Sequence, residues 1–253
     1  MKTLKLSHYS GSTLGDFIER PDSFYRRKIQ KVEFAINPSM ARGKAIEDVI
    51  NHFLKEDEIL DVHELFEEHL KGYEPKSDKD KEKLEKVRAS LLGLTSVAIQ
   101  EYKSEFLFEK PLQQFKIEGR LDGVKIPFIG YLDYYIPRQM VRDCKVVGRN
   151  PGKLSQRYII TASLYRFATE VDTVVYDLFV DNKNPVHVAY QLTDEEYKFG
   201  LSYAKRAMQV LDELQETEDP DRVFELMCFP NLESYFDEYE KKSIAESWEI
   251  EMP

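Results

Sequence analysis

Apolar positions keep a helical spacing up to about residue 107, alternate between 112 and 147, and return to helical spacing after 193. In MARGKAIEDVINHFLK (40–55), Ile46, Val49, Ile50, Phe53 and Leu54 fall on one helix face. Leu84, Val87, Leu91, Leu94, Ala98, Tyr102 and Phe106 carry the same spacing to about residue 107, with Gly93 as a weak point. A shorter helical signal starts upstream at Ser12 or Thr13. The stretch QQFKIEGRLDGVKIPFIGYLDYYI then alternates, which predicts strands near 112–121 and 124–136 joined by Asp122-Gly123 as a two-residue turn. A third strand is expected at 140–147, a helix from about Ser155 to Thr169, and a fourth strand over VDTVVYDLFV (171–180). Thr193-Asp194-Glu195-Glu196 opens another helix with a capping box, and residues 231–250 read as a closing amphipathic helix.

This order of elements predicts an α/β fold, with a mixed central sheet of four or five strands flanked by helices. With 253 residues, 42% of them hydrophobic, the chain can bury a substantial core. We expect one domain over residues 1–253, with helical elaborations at 1–110 and 193–253.

Candidate chemistry concentrates in GYLDYYIPRQMVRDCKVV (130–147), two strand-like runs around Pro137-Arg138-Gln139. If Ile136 faces Met140 across that break, the register sets Asp133 opposite Asp143. Asp143 and Lys145 then share a face, while Cys144 points to the other. Like charges directly opposite one another destabilise a hairpin, so a purely structural strand pair would not favour this arrangement. Two close carboxylates do suit a hard divalent cation such as Mg²⁺ or Mn²⁺, which takes oxygen ligands.

Gly130 to Asp133, then Asp143-Cys144-Lys145, then a helix starting near Gln156 resemble the PD-(D/E)XK nuclease superfamily, especially its RecB-like and lambda-exonuclease-like branches. Gly43-Lys44-Ala45-Ile46-Glu47 is similar to the family's upstream helix, and the match covers about residues 40–180. The resemblance implies a restriction-endonuclease-like core. It also implies a metal site made by Glu47, Asp133, Asp143 and the Cys144 backbone carbonyl, with Lys145 orienting the attacking water and Gln156 positioning the lysine or the nucleic acid. Two departures stand out. Ile46 sits where RecB-like members often have histidine, and Ile160 or Thr161 where they have a helix tyrosine, a role open to Tyr158 or Tyr165.

Charge refines this picture. The net charge of -10 argues against a uniformly basic surface, but residues 138–166 hold seven basic residues against one acid. From that cluster, Arg138, Arg149, Lys153 and Arg157 are candidate DNA contacts, with Arg26, Arg27 and Lys28 as a second group. The two cysteines, Cys144 and Cys228, exclude a disulfide framework and cannot supply an iron–sulfur cluster. No apolar run reaches membrane-spanning length and no signal-peptide core is evident, so a soluble, cytoplasmic protein is expected. The expected function is Mg²⁺-dependent cleavage of DNA, as an exonuclease in recombination, repair or phage DNA processing, with a homo-oligomer or a recombination protein as possible partner. The alternatives are a structure-specific endonuclease and a non-catalytic nucleic-acid-binding protein that keeps the fold.

Overall fold

The computed structural model describes residues 4–32, 36–217 and 219. Five helices come first: α1 (Gly11–Glu19), α2 (Pro21–Lys28), α3 (Pro38–Glu56), α4 (Val62–His69) and α5 (Asp78–Glu105). Then come β1 (Leu112–Gly119), β2 (Phe128–Ile136), β3 (Met140–Val147), α6 (Gln156–Thr169), β4 (Thr173–Val180), β5 (Val186–Gln191) and α7 (Asp194–Glu216). Polar side chains mark the helix starts by accepting orphan backbone N–H groups. Ser10, Asn37, Asp61 and Ser77 cap α1, α3, α4 and α5, and Thr193 with Glu196 forms the expected capping box on α7.

The strands form one sheet in the order β1-β2-β3-β4-β5. All neighbours are antiparallel except β3 and β4, which run parallel and are joined by α6 as the crossover helix. Each face buries its own apolar cluster. Leu132, Val141 and Leu178 pack with Ile160 and Leu164 of α6 and Met208 of α7. On the other face Tyr134, Cys144 and Phe179 pack with Val49 and Ile50 of α3 and Leu91 and Tyr102 of α5. The result is an α/β fold with helices on both sides of a mixed five-stranded sheet.

Several expectations need correcting. The N-terminal helical signal resolves into two helices, because Pro21 starts a new one at its first position. The β1–β2 hairpin exists, but its ladder closes at Gly119↔Phe128. Asp122-Gly123 therefore sits inside a longer loop, with Gly123 at φ 75. β5 was not anticipated. It is a short edge strand, half of its residues exposed and half partly buried, that among the described residues pairs with β4 alone. The helix expected over 231–250 lies outside the described residues, as does Cys228. Among the described residues no helix is long and apolar enough to cross a membrane.

The sheet has one irregularity, and it lies at the candidate carboxylates. β2 turns over at Asp133: Leu132 is buried on the α6 side and Tyr134, two positions on, is buried on the α3 side. Strict alternation would put both on one face. On β1 the opposing residue, Gln114, has φ 48, and the ladder passes from Gln113↔Tyr134 to Phe115↔Leu132 without pairing Gln114 to Asp133.

Candidate active site

Ile136 does face Met140 as the sequence predicts, and the β2–β3 pairing continues to Tyr134↔Arg142. There it stops, one step short of Asp133 and Asp143. Instead of a cross-strand carboxylate pair, the strands part, and the Cys144 N–H donates to Asp133 Oδ2 at 2.8 Å. The carboxylate has taken the place of a ladder acceptor, which fixes it at the split.

Asp143 and Lys145 share the α6 side of β3, and Cys144 packs on the opposite side, as expected. Lys145 Nζ is ion-paired with Asp143, lies 3.6 Å from Asp133 Oδ2, and donates to the Cys144 carbonyl at 3.0 Å. Glu47 comes from α3 on the other face of the sheet. Gln114 links it to the rest: its Nε2 donates to Glu47 Oε1 at 2.6 Å and to Asp133 Oδ1 at 3.2 Å. The turnover of β2 is what lets groups from both faces meet.

Burial and mutual repulsion perturb these groups strongly. Asp143 is 2% exposed. Burial pushes its carboxyl up to about 7, Lys145 works against the rise, and Asp133 adds to it. Burial, then the charge of Asp133, likewise pushes Glu47 up to about 7. Burial opposes the Lys145 charge, but Asp143 and Asp133 outweigh it and hold its pKa well above the ordinary value. Carboxyl groups raised in this way and set beside a cation are typical of functional sites.

The donor set fits a hard divalent cation chemically. It consists of oxygen atoms only, and a divalent charge offsets both the burial and the weaker mutual repulsion that raise Glu47 and Asp143. Among the described residues, however, no three His, Cys, Asp or Glu side chains are gathered closely enough to hold a metal as they stand. The Lys145 ammonium and the Gln114 amide lie between the carboxylates.

The remaining expected residues divide. Gln156 is the first residue of α6 and is half-buried. Tyr165, nine residues along α6, donates to the Tyr131 carbonyl at 3.3 Å, and the charge of Asp143 is close enough to help burial raise the pKa of its hydroxyl. Gly130 makes room for it, since a Cβ there would lie 3.0 Å from the Tyr165 ring. Of the two tyrosines open to the helix role, Tyr165 is thus tied to β2 beside the aspartates. Arg149 and Lys153 are exposed in the loop after β3. Arg138 is exposed in the β2–β3 turn, five residues from either aspartate and at the far end of the hairpin from the point where the strands part.

Much of the basic cluster serves internal pairing. Arg142 is buried and bound to Asp177 and Glu105, and Arg166 pairs with Asp172 and Asp194. Arg157 lies 3.6 Å from Asp16 and 3.9 Å from Glu19. In the second group, Arg26 is only 6% exposed and does not offer the open surface contact expected of it, while Arg27 pairs with Asp16 and stays partly exposed, as Arg157 does. Lys28 is half-exposed. Gln114 was missed altogether, because a glutamine in an alternating strand reads as a solvent-facing residue.

No family model matches the chain, and no curated protein matches it. Among solved structures, a "putative exonuclease" from Eubacterium rectale aligns with a TM-score of 0.60 at 15% identity. The alignment covers 83% of this chain and 82% of that one. The likeness extends to the fold. A second structure, of SSO0001, aligns at 12% identity with a TM-score of 0.34, below the level that implies a shared fold.

Proposed function

We propose that this protein is a metal-dependent nuclease of the PD-(D/E)XK type that hydrolyses phosphodiester bonds in DNA. One observation carries the reading: Asp133, Asp143 and Lys145 meet where β2 and β3 part, and Glu47 is brought to the same point by Gln114. The similarity of fold to a protein named as an exonuclease supports the same direction.

In this reading Glu47, Asp133, Asp143 and the Cys144 carbonyl would hold Mg²⁺ or Mn²⁺, which when bound would supply an activated water and offset charge on the phosphate. Lys145 releases its contact with Asp143, orients the attacking water and stabilises the negative transition state. Tyr165 fastens β2 two residues before Asp133 through its bond to the Tyr131 carbonyl, and Gln156, at the N-terminus of α6, positions the nucleic-acid backbone. Arg149 and Lys153 come directly after the strand that carries Lys145 and meet flanking phosphates. Arg138, Arg157 and Lys28 lie further out. An exonuclease acting in recombination, repair or phage DNA processing is the preferred form.

The deciding experiment is incubation with end-labelled linear DNA and with closed circular DNA, each with and without Mg²⁺. Loss of label from linear DNA alone, only with Mg²⁺, is the expected result. Cleavage of the circle would make the protein an endonuclease. No cleavage of either form would leave a nucleic-acid-binding protein with this fold.

A further inference from the structure

Tyr131 is 55% exposed although it lies in the middle of β2, two residues before Asp133. Its neighbour Leu132 is buried on the α6 side, so the Tyr131 side chain projects from the opposite face, the side from which α3 brings Glu47. The backbone beneath it is held twice. Tyr131 pairs with Lys116 in the β1–β2 ladder, and its carbonyl accepts from Tyr165. Lys116 therefore stands beside the ring on the same face, and Lys44 on α3 is close enough to Glu47 to favour its charge. A rigidly mounted aromatic face, with the Lys116 ammonium (3.5 Å from Glu118) beside it and Asp133 two residues along the strand, matches how proteins grip unpaired strands. Bases stack on the rings while the phosphates track positive charge.

We infer that Tyr131 is a stacking platform for an unpaired base next to the scissile phosphate, which makes single-stranded nucleic acid, or a frayed strand end, the substrate engaged at this site. This rests on the nuclease reading above and names its substrate class. Duplex DNA keeps its base faces stacked and cannot offer one to Tyr131 without opening. The ring binds and orients the strand, and takes no part in moving a proton.

The test separates this inference from the nuclease reading. Binding of a fluorescent twelve-nucleotide oligothymidylate and of a blunt duplex is measured by anisotropy in EDTA, where no cleavage occurs. Tyr131→Ala should weaken single-strand binding roughly 5- to 150-fold, the range for losing one stacked base, and leave duplex binding unchanged. Tyr131→Phe should bind the single strand like the wild type. An abasic nucleotide scanned along the oligothymidylate should, at one position, reproduce the loss in wild-type protein and cause none in Tyr131→Ala. Thermal melts of both variants confirm that the fold is kept. Equal weakening for single strand and duplex, an abasic effect that persists in Tyr131→Ala, or wild-type protein that does not bind the single strand would each overturn the inference. Cleavage with Mg²⁺ is read separately. Its absence in wild-type protein counts against the nuclease reading and leaves the binding result standing.

Discussion

Gln114 on β1 donates to Asp133 on β2 across 3.2 Å, at the position where the two strands skip a pairing. The same amide group reaches Glu47 on α3 at 2.6 Å. A neutral donor thus joins two acids whose proximity raises the pKa of one of them. The backbone makes this possible: Gln114 at φ 48 turns its side chain out of the regular strand alternation.

Removing that clamp should loosen the carboxylates. Gln114→Gly deletes the amide and tolerates the positive φ. Mn²⁺ affinity measured by calorimetry should fall about 10- to 100-fold, the scale for losing a group that orients metal ligands. Equal affinity in the variant would mean that the glutamine has no part in organising the site.

The site should also tilt the stability of the protein with pH. Glu47 and Asp143 have folded-state pKa values pushed up to about 7. A carboxyl whose pKa is raised on folding binds more protons in the folded state, so its contribution falls as pH rises. The loss begins above the ordinary carboxyl values of 3.8 to 4.5 and is complete above about 7. Lys145, raised well above its ordinary value, stays charged throughout this window and adds no slope. Thermal melts in metal-free buffer between pH 5 and 8 should show a declining Tm, and Asp143→Asn should flatten the decline. An unchanged slope in that variant would place the titration elsewhere.

The sheet core was legible because burial imposes a period. The alternation in residues 112–147 reports strands packed on helices, and the register at Ile136↔Met140 comes from a short loop. β5 also alternates, with Val186, Val188 and Tyr190, but it is short and exposed at an edge, where weak burial leaves a weak signal. Gln114 carries no sequence signal, since its role comes from a local turnover of two strands. The fate of the arginines was equally hidden. Their partners, Asp177 for Arg142 and Asp16 for Arg157, lie far away in sequence and come close only through the fold.

The Arg142–Asp177 pair gives a stability test away from the site. Asp177 is fully buried and accepts from Arg142 Nε at 2.8 Å and Nη2 at 2.7 Å, from Tyr102 at 3.0 Å and, at 2.8 Å, lies against His187 Nε2. Asp177→Ala leaves Arg142 buried with Glu105 as its nearest remaining partner. Breaking a buried pair from one side costs about 3–5 kcal/mol. For a chain of this size the Tm should drop by roughly 6–20 °C. A drop of less than a few degrees would show that Glu105, with Glu101 at 4.0 Å, suffices.

Lys145 separates catalysis from capture. Its ammonium lies against Asp143 and 3.6 Å from Asp133, so it can reach a water or a phosphate oxygen that enters beside these carboxylates. In the nuclease reading its charge acts mainly in the transition state. Lys145→Ala should therefore lower single-turnover cleavage by roughly two to three orders of magnitude, the scale for losing one electrostatic stabiliser. Mn²⁺ affinity should hold or rise, because a positive charge beside the site has gone. Asp143→Ala should instead abolish both metal binding and cleavage. Single-turnover assays run beside Mn²⁺ calorimetry tell the two variants apart. Cleavage that persists undiminished in Lys145→Ala would move the lysine out of the reaction and leave it as the counter-charge that keeps two buried aspartates together.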